Sequence, residues 1–277
     1  MNKRPMTRVN LDKAIARLAK NDPRLTVDIR MSMANAIVGQ FLSDGVVKGG
    51  TSLKFRYGAT QVRYTMDLDT AWRTDLESFL RNLKAALTNG WEGFSGEVVV
   101  LPQASPKGIP FDYVMQPCDV KLSYMGRSWC SVRLEIGHNE VGDADDAEMM
   151  PVPNDLAEVF KGLCLPVPRG IPLMRLPYQI AQKLHGATSL NSKRAHDIID
   201  LQLIFWNSKG VNLHEVRLAC ERLFAYRKGQ AWPPKVVKGD DWDVVYLNKK
   251  QNLPVLSTVD EAIVWANELI ARIDRAK

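Results

Sequence analysis

Strand-like runs in the first half and helix-like runs in the second predict an α+β fold for this chain of 277 residues. Three observations carry that reading. Short apolar runs, two of them with period-two alternation, stand at Val46-Val47, Tyr64 to Asp69 and Val132 to Gly137. From Tyr178 onward, apolar residues recur at helical spacing. Between these regions Glu140 to Glu148 is acidic and leads into Pro151-Val152-Pro153, an exposed connector. The boundary is therefore placed there, giving a first domain over residues 1–148 and a mainly helical second domain over 149–277.

Taken in order, residues 10–42 read as helical, with Leu11, Ile15, Leu18, Ile29, Met33, Ile37 and Phe41 in one apolar stripe. Val46-Val47 close a short strand, and Gly49-Gly50 break it where a helix can begin. In Tyr64-Thr65-Met66-Asp67-Leu68-Asp69, the apolar Met66 and Leu68 alternate with Thr65, Asp67 and Asp69, so both acids point one way. Glu135 lies between Leu134 and Ile136 and shares its face with Arg133 and Gly137. In the second half, Pro177 suits a helix start, and Ile180, Ala181 and Leu184 mark a helix over 178–187. After a Thr-Ser-Leu-Asn-Ser loop, Arg194 to Trp206 repeats the pattern with Ile198, Leu201 and Phe205, and Asp197 and Asp200 stand one turn apart. Val259 to Ala276 is a final helix with Ile263, Ala266, Ile270 and Ile273 on one side.

The chemistry concentrates in Lys48-Gly49-Gly50-Thr51-Ser52-Leu53 and in Asp67-Leu68-Asp69. Glycines let backbone amides at a helix start approach phosphate, and Thr51 and Ser52 place hydroxyls beside those amides. Two carboxylates held side by side repel unless cations sit between them, which suits oxygen-loving divalent ions, magnesium above all. Arg56 and Arg63 lie between glycines and acids, where they contact phosphate or neutralise the carboxylates. Either half alone also fits a plain Gly-Gly turn or a solvated strand end; the combination points to function. Glu135 would complete a three-carboxylate cage, with Asp119 as a rival. For Asp197 and Asp200, helix-dipole stabilisation or pairing with Lys183 or Arg194 is compatible with catalysis. His185 and His196 lack a partner at metal-ligand spacing and read as packing or polar-rim residues.

The order Gly-Gly-Thr-Ser-Leu, arginine-bearing loop, Asp-Leu-Asp, Leu-Glu-Ile-Gly resembles the AbiEii/AbiGii toxin family of nucleotidyltransferases, to which the MenT-type toxins also belong. The run from Tyr178 to His185 and on through Arg194 to Leu201 is similar to that family's second half. Residues 35 to 206 or so are covered. The resemblance implies a polymerase-β-like core, a small mixed sheet flanked by helices, followed by a helical domain. It implies that Gly49, Gly50, Thr51 and Ser52 cradle a nucleoside triphosphate and that Asp67 and Asp69 hold magnesium. Lys183 would neutralise phosphate and Asp197 would complete the site. The chain departs from the pattern in two places: the gap from Gly50 to Asp67 is long, and His196 stands where many relatives carry a cation.

The implied reaction moves a nucleoside monophosphate from a triphosphate to an acceptor hydroxyl, the 3′ end of tRNA, with arrest of translation and a cognate antitoxin protein as partner. A small-molecule nucleotidyltransferase of the antibiotic-modifying type and a silent nucleotide-binding regulator are the alternatives. Composition agrees with a globular core at 45% hydrophobic residues. The net charge of +6 favours a polyanionic partner such as RNA. Basic residues cluster from Lys3 to Arg17 and again at Arg222, Arg227, Lys228, Lys235, Lys238, Lys249 and Lys250, interleaved with Phe224, Tyr226, Trp232 and Trp242. The four cysteines, Cys118, Cys130, Cys164 and Cys220, show neither zinc-site nor disulfide spacing. A cytoplasmic location is expected, with no membrane span and no secretion signal in Met1-Asn2-Lys3-Arg4-Pro5.

Overall fold

The computed structural model describes residues 3–105 and 114–277, so Met1 and Asn2 of the polar N-terminal stretch lie outside the described residues. The chain packs as two compact units. The first comprises residues up to Gly58, Thr65–Asn139 and Ala144–Leu173, and the second Ala59–Tyr64, Glu140–Asp143 and Met174–Lys277.

In the first unit, α1 (Arg8–Leu18) and α2 (Pro23–Gly39) replace the single helical run expected over 10–42. The break has a local cause. Lys20 and Asn21 take φ of 51° and 61°, and Asp22 caps α2 by accepting from the Arg24 and Leu25 amides, with Pro23 at the first position. Next come β1 (Gly45–Val47), α3 (Gly49–Tyr57), β2 (Leu68–Trp72), α4 (Leu76–Asn89), β3 (Phe94–Val100), β4 (Gln116–Tyr124) and β5 (Arg127–Gly137). The unit ends with β6 (Glu148–Met150), α5 (Asn154–Gly162) and β7 (Ile171–Leu173).

The strands form a mixed seven-stranded sheet in the order β3-β4-β5-β2-β1-β7-β6. Its middle is β2, parallel to β5 on one side and antiparallel to β1 on the other. The β3–β4 pair widens the sheet at one edge, and β6 and β7 at the other, so residues 149–173 pack with the first unit. One face is sealed by Leu11, Ile37, Leu68, Leu134 and Phe160, all without solvent exposure. Near it Phe94 packs on Tyr124 and Trp129 at ring separations of 4.6 Å and 5.1 Å.

The strand expected from Tyr64 begins only at Leu68. The preceding carbonyls are held by side chains instead of a neighbouring strand: Asn35 Nδ2 donates to Met66 O at 3.2 Å and Thr51 Oγ1 to Asp67 O at 2.6 Å. Met66 is accordingly 44% exposed rather than buried opposite the acids.

The second unit is helical: a 3₁₀ turn at Ala59–Gln61, then α6 (Leu176–Thr188), α7 (Ala195–Asn207), α8 (Leu213–Arg227), α9 (Trp242–Lys250) and α10 (Val259–Asp274). Two of these start at strong caps. Asn212 accepts from the His214 and Glu215 amides, and Thr258 with Glu261 forms a reciprocal capping box.

Candidate nucleotide site

The first unit gathers the glycine segment and the acids around the β1-to-α3 turn. Lys48 N–H donates to Asp69 O at 2.8 Å, and the next residue, Gly49, has φ of 67°. The glycine is required twice over. An L-side chain disfavours that backbone conformation, and a Cβ at Gly49 would collide with the Asp69 carboxylate. The Gly49 Cα and the Asp69 carboxylate are thus in direct contact. No side chain caps α3, so the amides of Gly49 and Gly50 open its first turn to an anion. Thr51 and Ser52 are buried, and the Thr51 hydroxyl ties α3 to the Asp67 main chain.

Asp69 pairs in register with Glu135 across the parallel β2–β5 ladder, so the two half-buried carboxylates leave one face of the sheet side by side. Asp67 is exposed and lies just before β2. Asp119, the rival acid, lies on β4 opposite Arg133 of β5 and pairs with it at 3.1 Å. Among the described residues, no three His, Cys, Asp or Glu side chains are drawn together as a ready metal cage. The donor chemistry nevertheless fits a hard cation: Asp69 and Glu135 offer adjacent carboxylate oxygens, and exposed Asp67 is two residues from Asp69. Arg56 points elsewhere, pairing with Glu148 at 2.7 Å.

The remaining predicted residues meet in the second unit. Lys183 on α6 is buried and donates to Asp200 Oδ2 at 2.6 Å and Asp197 Oδ1 at 3.3 Å on α7. Arg63 grips the other side of Asp200 through Nε at 2.9 Å and Nη2 at 3.0 Å, while Arg194 Nε donates to Asp197 Oδ2 at 2.5 Å. Burial pushes the Asp200 carboxyl up, but Lys183 and Arg63 outweigh it and hold the group down at about 2. Asp197 is likewise lowered, Lys183 and Arg194 overcoming burial. Burial pushes His196 down to about 4, so it is neutral near pH 7. His185 is lowered to about 4 by burial and packs edge-on to Phe224 at 4.9 Å.

Asp200 and Arg194 join Lys183 and Asp197 in this cluster without standing among the residues expected to act in the reaction. The cluster's signal is the one-turn Asp-x-x-Asp spacing facing Lys183. The Arg63 pair spans 137 residues and has no local signature. In the basic stretch expected to meet RNA, Phe224 and Trp242 are buried and Arg227 pairs with Glu140 at 2.7 Å. Trp232 donates to Asp274 at 3.0 Å. Arg222, Tyr226, Lys228, Lys235 and Lys249 remain exposed. None of the cysteines forms a disulfide, and among the described residues no helix is long and apolar enough to cross a membrane.

A family model described as "Nucleotidyl transferase AbiEii toxin, Type IV TA system" matches residues 33–266. Among solved structures the fold is similar to that of MenT4, a nucleotidyltransferase toxin from Mycobacterium tuberculosis H37Rv, with a TM-score of 0.54 and 16% identity. The likeness covers 95% of this chain and 98% of that one. No curated protein matches by sequence.

Proposed function

The chain belongs to the AbiEii nucleotidyltransferase toxin family, and from that premise we propose that it transfers a nucleoside monophosphate from a nucleoside triphosphate to the 3′-terminal hydroxyl of tRNA, halting translation. The observation that supports this most is the row of Asp69 and Glu135 beside the uncapped start of α3. Glycine-segment amides bind and orient phosphate oxygens, and the missing side chain at Gly49 brings the Asp69 carboxylate against them. The Thr51 hydroxyl holds the Asp67 main chain in place. Asp67, Asp69 and Glu135 would hold magnesium, as about two ions, which supplies charge neutralisation on the phosphates and acidifies the acceptor hydroxyl. The acceptor hydroxyl gives up its proton to water as its oxygen forms the new bond to the α-phosphorus and the bond to the β-phosphate oxygen breaks, and pyrophosphate leaves.

The family resemblance assigns Lys183 and Asp197 to the same reaction, Lys183 for phosphate charge and Asp197 for completion of the catalytic set. An antitoxin protein is the expected partner, and the cytoplasm, where tRNA resides, the expected compartment. A small-molecule acceptor is the alternative, and one experiment separates them. Purified protein is incubated with each α-labelled nucleoside triphosphate, magnesium and total tRNA, beside Asp69→Ala. Label in tRNA from the intact protein alone supports the reading. Turnover of nucleotide with no label in RNA overturns the tRNA assignment.

A further inference from the structure

Lys48 is a buried cation that the reaction above leaves without a role. It is 8% exposed, yet among the described residues its ammonium has neither an ion pair nor a hydrogen bond. Its position follows from the sheet. The bond from Lys48 N–H to Asp69 O extends the β1–β2 ladder one rung beyond Val47 opposite Thr70. Lys48 and Asp69 therefore leave the sheet on one face, where Asp69 lies opposite Glu135 and Ala71 opposite Gly137. Ala71 and Gly137 are small and leave a floor for a long side chain. The ammonium rests on that floor, since a Cβ at Gly137 would fall 2.6 Å from Nζ. Lys48 also occupies the N-cap of α3 without capping it.

The Lys48 side chain is largely withdrawn from water and forms no ion pair with the neighbouring carboxylates, so its donors are open to an anionic ligand. Here the cation stands beside open helix amides and next to the carboxylate row, where metal-bound polyphosphate would arrive. We propose that Lys48 binds the phosphate chain of the nucleotide and the departing pyrophosphate. This rests on the nucleotidyl-transfer reading and adds a charged phosphate ligand to it.

The test uses inorganic pyrophosphate with magnesium as probe, its affinity measured by calorimetry on full-length protein. Lys48→Met is expected to weaken binding by about tenfold or more, the loss of one charge-assisted hydrogen bond. Lys48→Arg should recover part of that loss. Gly137→Ala keeps the charge but displaces the ammonium, and should weaken binding as well. The two conservative variants decide the matter if Lys48→Met does not fold. Unchanged affinity in folded Lys48→Met or Gly137→Ala, or no pyrophosphate binding by the wild type, overturns the proposal. Because no acceptor is present, the outcome is separate from label transfer: binding lost with Lys48, in a protein that transfers no nucleotide, sustains this proposal while refuting the transfer reading.

Discussion

Gly49 carries two constraints at a single atom, because its left-handed φ and its contact with the Asp69 carboxylate both exclude a Cβ. Gly49→Ala is therefore expected to lower stability by about 1–2 kcal/mol, measured by urea unfolding, and to reduce nucleotidyl transfer as well. Asp69→Asn and Glu135→Gln make the complementary case. Both side chains are half-exposed at the sheet face, so melting temperature should barely move while transfer falls about 100-fold or more, the several kcal/mol expected of lost metal ligation. The adjacency of Asp69 and Glu135 was legible in outline, since period-two alternation put each acid opposite a core residue. Asp67 was not, because alternation continues in the sequence past the point where a neighbouring strand stops supporting it. Side-chain bonds from Asn35 and Thr51 take over there, and no local pattern announces them.

At the scale of elements, α6 and α7 are joined by an ionic cluster rather than by apolar contacts alone. Lys183 lies between two fully buried aspartates, and Arg63 closes the far side of Asp200. Removing one partner leaves buried charge uncompensated, so Lys183→Met or Asp200→Asn should destabilise the protein by about 3–5 kcal/mol in urea unfolding. Loss of activity in those variants assigns a catalytic role only where folding is retained. Acid should act in two stages. His185 and His196 have folded values of about 4, below their ordinary value, so the unfolded chain binds more protons and stability falls as the pH drops from about 6.5 toward 4. Asp200, held at about 2, contributes stability above its ordinary carboxylate value that is lost as pH falls through its folded value. Thermal melts across pH 7 to about 2 would show both steps. Helices α6, α7 and α10 were legible within about two residues from apolar spacing, whereas α1 and α2 ran together in the pattern and α4 and α8 were not foreseen. The pairing of β3 with β4, and the short β6 and β7, depend on contacts across the sheet that composition does not encode.

For the whole molecule, the net charge of +6 and the exposed basic residues at Arg222, Lys228, Lys235 and Lys249 predict electrostatic binding of an RNA acceptor. Affinity for tRNA should fall steeply and log-linearly with salt in filter binding, whereas a small uncharged acceptor would show no such slope. Beyond binding, the proposed reaction is transfer of the α-phosphoryl with its nucleoside and release of pyrophosphate. The most direct measurement follows α-labelled and γ-labelled nucleoside triphosphates in parallel with magnesium and total tRNA, in the wild type and in Asp69→Asn. The expected result is α-label covalently attached to tRNA, γ-label released as pyrophosphate, and neither event in the variant. Transfer of γ-label to an acceptor, or α-label attached equally by Asp69→Asn, would contradict it.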